Sequence, residues 1–174
     1  MSAPLPRHSS TAPQIEATRH CVFRCREDWF ALPATSVREI TYAPKLSVVP
    51  GSHPLLAGMC HLRSEFLPVV RVDVLLADEA IETANDEKLL VLGSTTGGWA
   101  ILISEVLALE PLDTLTNGDV NLDDSVSGVV LATAMFRDEV VRVLDPHRLL
   151  HLAQSQLENH WSTNSPESST SGIR

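Results

Sequence analysis

The chain has 174 residues, is 44% hydrophobic and 20% charged, and carries 13 Lys and Arg against 22 Asp and Glu, a net charge of −9 at neutral pH. That length suits one domain of ordinary size or two small halves sharing an interface, and the apolar fraction is that of a globular chain. The acidic balance argues against a nucleic-acid surface or an anionic membrane, and no apolar run approaches bilayer-spanning length.

Residues 1–18 are rich in Ser, Thr, Pro and Ala without periodicity and read as a disordered leader. With Pro4, Pro6, His8 and Pro13 they lack the apolar core of a signal peptide, so the cytosol is the expected compartment. Cys21 to Cys25 alternates, Glu27-Asp28 is a polar turn, and Trp29 to Leu32 resumes the apolar pattern, which together predict a hairpin. Cys21 and Cys25 would share a strand face, a spacing compatible with a metal or redox pair. No second ligand pair follows and Cys60 stands alone, so all three read as small buried hydrophobes. Pro33 suits the first turn of a short helix, with Val37 and Ile40 on one face and Arg38 and Glu39 between them.

Residues 41–57, punctuated by Pro44, Pro50, Gly51 and Pro54, suggest a short strand and a turn-rich connection. The stretch from Gly58 to Val70 is the focus of the chain. It opens on a glycine, sets Arg63 among apolar neighbours and runs into a strand interrupted by Pro68. An arginine in that setting must snorkel or find a carboxylate, and Glu39 is the upstream candidate. Asp73 to Ala77 closes the segment with a helical turn.

Residues 78–87 form an acidic, solvated linker. Lys88–Leu92 and Trp99–Ile103 read as strands around a Gly/Thr-rich turn, and Ser104–Leu109 adds an apolar segment. Leu112–Asp124 is a polar loop, and Val126–Thr133 and Glu139–Leu144 are a strand pair around Phe136-Arg137-Asp138. A helix runs from Pro146 to about Trp161, followed by a disordered tail over 162–174. His147 and His151, i and i+4 on that helix, have no third ligand and read as a solvated face, so no metal or cofactor is expected. Nucleophile-elbow, phosphate-loop, H-E-x-x-H and dinucleotide signatures are all absent, which argues against an enzyme.

The chain also repeats. Trp29 and Trp99 are 70 residues apart, as are Gly58 and Gly128, and Val69-Val70-Arg71-Val72 recurs as Val140-Val141-Arg142-Val143. A period this long indicates two related halves, approximately 20–76 and 88–150, rather than a solenoid. Halves built from several short strands predict two small β-barrels within a 19–161 domain, an all-β fold with short helices and a C-terminal helix. Trp29 and Trp99 then read as equivalent barrel-packing aromatics.

The order Val37-Arg38-Glu39-Ile40, Pro50 to Pro54, Gly58…Leu62-Arg63…Pro68-Val69-Val70 and Val143-Leu144-Asp145…Leu149-Leu150 resembles the CheW-like family of chemotaxis coupling proteins over roughly residues 20–155. The resemblance implies two interleaved, five-stranded SH3-like β-barrels and a non-catalytic adaptor. Such an adaptor joins the cytoplasmic tip of a chemoreceptor to the regulatory domain of a CheA-like histidine kinase, with ring assembly through head-to-tail contacts. It assigns Val37, Glu39, Ile40, Arg63 and Val106 to a receptor groove between the barrels, and Gly58 and His61 to the kinase contact. His61 stands where the family usually has Asn, Ser64 where it has Gly, and Arg71 and Ser104 where it has Asp, which points to a noncanonical receptor or kinase, such as one from a pilus or surface-sensing array. The alternative from another class is a regulatory domain that binds a small ligand in the same groove.

Overall fold

The computed structural model describes residues 18–77, 88–95, 97–115 and 128–164. The expected leader before residue 18, the acidic linker over 78–87, most of the second polar loop and the tail beyond 164 lie outside the described residues.

The first half contributes a hairpin, β1 (Arg19–Cys25) and β2 (Asp28–Pro33), a third strand β3 (Val37–Tyr42), a second hairpin, β4 (Leu56–Leu62) and β5 (Glu65–Val70), and helix α1 (Val72–Ala77). The second half follows the same plan. Its elements are β6 (Lys88–Ser94) and β7 (Gly97–Ile103), β8 (Glu105–Pro111) with the two-residue β9 (Thr114–Leu115), β10 (Val130–Phe136) and β11 (Glu139–Leu144), and helix α2 (Pro146–Asn164). The strand orders are β8-β1-β2-β11-β10-β9 in one sheet and β3-β6-β7-β5-β4 in the other. Each sheet therefore takes its central hairpin from one half and its third strand and last hairpin from the other. In both, the last strand runs parallel to the second strand of the central hairpin.

Both sheets are SH3-like barrels whose edge strands do not pair directly. The chain leaving the third strand spans the opening instead. After β3, Ser47 and Met59 of β4 exchange two backbone hydrogen bonds of 2.8 and 2.9 Å; after β8, β9 pairs with β10. The central hairpins are buried on both faces, which is why their sequences read as near-continuous apolar runs. On β1, Cys21, Phe23 and Cys25 face a core shared by the two barrels while Val22 faces its own barrel's interior. On β6, Leu90 and Leu92 face the shared core while Leu89 and Val91 face inward. Leu149 and Ala153 of α2 cap the shared core.

Two expectations are corrected. Pro33 opens only a single 3₁₀ turn (Ala34–Ser36), and Val37 to Tyr42 is a strand, because β-branched Val37, Ile40 and Thr41 find ladder partners on β6. The landmarks 70 and 71 residues apart are also not structural equivalents. Phe23 pairs with Phe30 as Leu92 pairs with Trp99, so the counterpart of Trp99 is Phe30, at an offset of 69. In the last hairpins the offset is 74: the Arg71 N–H donates to the Leu55 carbonyl, and the Asp145 N–H to that of Val129, both at 2.9 Å. The connection between third strand and last hairpin is five residues longer in the second half, which displaces the letter matches from the structural ones.

A candidate docking groove between the barrels

β3 is bulged. Val37 stands opposite Leu92 and Glu39 opposite Val91, leaving Arg38 as the extra residue. The bulge turns Val37 and Ile40 onto one face of the strand, towards the shared core, and Glu39 onto the other. The face pairing expected from a helix is thus recovered by a different backbone. Val37 is half-buried against the shared core, whereas Ile40 is 44% exposed beyond it and Tyr42 more so.

β8 repeats the arrangement. A bulge lies between Val22 and Phe23, with Val106 opposite Phe23 and Leu109 opposite Cys21. Val106 is half-buried against the shared core and Leu109 is 55% exposed. Two apolar strips, Val37-Ile40-Tyr42 and Val106-Leu109, therefore extend outward from the shared core, one from each barrel. Leu109 and Tyr42 were not singled out from the sequence. For Leu109 the signal was present, since it follows Val106 at the spacing by which Ile40 follows Val37.

Glu39 and Arg63 meet at the end of the five-stranded barrel. An Arg63 terminal amine donates to Glu39 Oε1 at 2.9 Å; the arginine side chain is 78% exposed and the glutamate 24%. Arg63 and Ser64 form the two-residue turn of the β4–β5 hairpin, with φ of 47° and 69°, the doubly left-handed turn that matches the twist of the strands. The turn aims the Arg63 side chain across the barrel opening at β3, the opposite edge strand. Beside it, Arg38 bonds Glu65 at 3.1 Å.

Gly58 and His61 lie on β4. Gly58 is buried with φ of 149°, and a Cβ there would sit 2.7 Å from the Ser47 carbonyl oxygen, so this glycine permits the bridge that closes the barrel. His61 is exposed and its ring lies 4.9 Å from that of Phe66, directly opposite on β5 and itself 74% exposed. Phe66 was also missed, although a two-residue turn at Arg63-Ser64 fixes that register. Cys21, Cys25 and Cys60 form no disulfide and are buried, the Cys25 thiol donating to the Leu102 carbonyl, and burial raises Cys21 to about 11. Among the described residues no group of three or more His, Cys, Asp or Glu could hold a metal, and no helix is long and apolar enough to cross a membrane.

A CheW-like domain model matches residues 19–154. No curated protein matches the chain. Among solved structures, the scaffolding protein TtCheW from Thermoanaerobacter tengcongensis is similar, with a TM-score of 0.64 at 16% identity, over 76% of this chain and 92% of that one. The swapped double barrel is the fold of that scaffold, and with most of the sequence accounted for by one family model, this chain belongs to the CheW-like domain family.

Proposed function

We propose that the chain is a non-catalytic adaptor that couples the cytoplasmic tip of a chemoreceptor to a CheA-like histidine kinase. The observation that carries this reading is the duplicated apolar strip, Val37-Ile40 on one barrel and Val106-Leu109 on the other, flanking one shared core. An amphipathic receptor helix presents apolar side chains every three or four residues and would lay that stripe between the strips. Glu39 and Arg63, on the other face of β3 and in the hairpin turn beside it, would meet the partner at the end of the five-stranded barrel and set its register through charge-assisted hydrogen bonds.

The kinase contact is placed on the β4–β5 hairpin, with His61 and Phe66 as the exposed pair and Gly58 shaping the strand beneath. An adaptor that holds both partners at once can build head-to-tail contacts, which close into rings when the rotation permits. The departures at His61, Ser64, Arg71 and Ser104 support a partner set of the pilus or surface-sensing kind. An adaptor transmits a signal only if its contacts differ between receptor states.

The test is paired capture. Immobilised protein should retain both a receptor-tip helical hairpin and the kinase regulatory domain, each independently of the other. Retention of neither, together with thermal stabilisation by a small metabolite, would favour the ligand-binding alternative.

A further inference from the structure

We propose that Asp73, gripped by Arg26 and Arg71, is a positioning residue that fixes the angle between the two barrels. The shared core is apolar, and its close packing holds the barrels together and limits their rotation without any directional bond. The charged cluster at its margin is directional. One Asp73 oxygen, Oδ2, lies 2.8 Å from Arg26 Nε as an ion pair and accepts a hydrogen bond from an Arg71 terminal amine at 3.0 Å. Arg26 belongs to the β1–β2 turn of the six-stranded barrel, whereas Arg71 and Asp73 follow β5 of the five-stranded one. The Arg26 arm therefore crosses the seam, and the Arg71 arm stays within one barrel and orients the carboxylate.

The same turn is tied to the crossover. The Arg26 N–H donates to Ser104 Oγ at 3.0 Å, and the Ser104 N–H donates to the Arg24 carbonyl at 2.9 Å. Ser104 is the residue between β7 and β8, where the chain passes from one barrel to the other. Arg26 itself holds φ of 57°, a left-handed backbone unusual for arginine. The side chains of Arg26, Asp73 and Arg71 are 20%, 9% and 17% exposed, so the cluster is poorly screened, and removing one member strands a charge away from water. Two of the four positions that depart from the family pattern, Arg71 and Ser104, come together here.

The angle between the barrels sets the separation of the two strips, so a consequence for docking follows; that consequence rests on the adaptor reading, and the angle does not. The experiment measures spin-label distances in the full chain carrying Lys45→Cys and Glu139→Cys, one exposed site on each barrel. The native thiols are buried and stay unlabelled. The parent should give one narrow distance distribution. Arg26→Gln, which cuts the arm across the seam, should shift or broaden it, and Arg71→Gln should change it much less. Asp73→Asn, provided it folds, should match Arg26→Gln. An unchanged distribution in Arg26→Gln, or equal changes in Arg26→Gln and Arg71→Gln, overturns the proposal. A changed distance in Arg26→Gln with undiminished receptor-tip affinity upholds the angle and counts against the groove instead.

Discussion

Ile40 and Leu109 hold the same place in the two barrels: each lies three residues past a half-buried valine at a bulge and stands opposite a residue of the shared core, Leu90 for one and Cys21 for the other. Because both side chains are already exposed, replacing them should scarcely affect folding. Ile40→Asp and Leu109→Asp should each change stability by no more than about 0.5 kcal/mol. Each should lower receptor-tip affinity about tenfold or more, which is about 1.4 kcal/mol of binding. Calorimetric titration beside thermal melts separates the two effects, and undiminished affinity in both variants removes the strips from the interface.

Charge reversal at Arg63 or Glu39 tests the register of docking. An exposed pair contributes only about 0–1 kcal/mol, so Arg63→Glu and Glu39→Arg should melt near the parent temperature. Both should weaken the receptor-tip complex. If the double swap restores binding, the pair acts through its mutual geometry; if it does not, each charge meets the partner separately.

Gly58 and Ser64 should respond in opposite senses. Gly58→Ala places a Cβ against the Ser47 carbonyl at a backbone angle that L-residues avoid, and should cost about 2 kcal/mol or more in denaturant melts. Ser64 holds φ of 69° without being glycine. Ser64→Gly should relieve about 1 kcal/mol of left-handed strain, partly offset by the extra freedom of glycine in the unfolded chain, for a net gain of about 0.5 kcal/mol.

The thiols should be inert in the native protein. Burial raises Cys60 and pushes Cys21 up to about 11, so at pH 8 little thiolate is available. A disulfide reagent should titrate three thiols in denaturant and essentially none within minutes under native conditions. Fast native labelling would mean that the shared core opens.

Stability should fall on mild acidification. His53 Nδ1 accepts the Leu55 N–H at 3.1 Å, and the His160 ring packs edge-on at 5.2 Å. Burial first, and the neighbouring His160 second, lower the affinity of His53 for a proton below its ordinary value. Burial lowers His20 as well, partly opposed by its backbone hydrogen bond with Thr18. A histidine with a lowered folded pKa stabilises the fold fully above its unfolded value of about 6.5, and that contribution is lost as pH falls through the folded value. Melting temperature should therefore drop between pH 7.5 and 5.5, and His53→Gln should flatten part of the slope while His20 retains the rest.

Apolar patterning along the chain determined the elements, the all-β class and the family, because strand runs such as Trp29–Leu32, Leu89–Leu92 and Trp99–Ile103 and the landmarks around Arg63 are local in sequence. It also found the Glu39–Arg63 pair, although Arg63 sits 78% exposed in a hairpin turn and has no need of a carboxylate to leave water. Only the tertiary structure decided which strands share a barrel. The exchange of hairpins between halves depends on contacts between residues 31 to 112 positions apart, which no local period encodes. The true offsets of 69 and 74 come from hydrogen-bond registers, not from matching letters. The bulge that sets Ile40 beside Val37, and the meeting of Arg26, Arg71, Asp73 and Ser104 at the seam, arise for the same reason: side chains become neighbours through the packing of the barrels, not through their order in the chain.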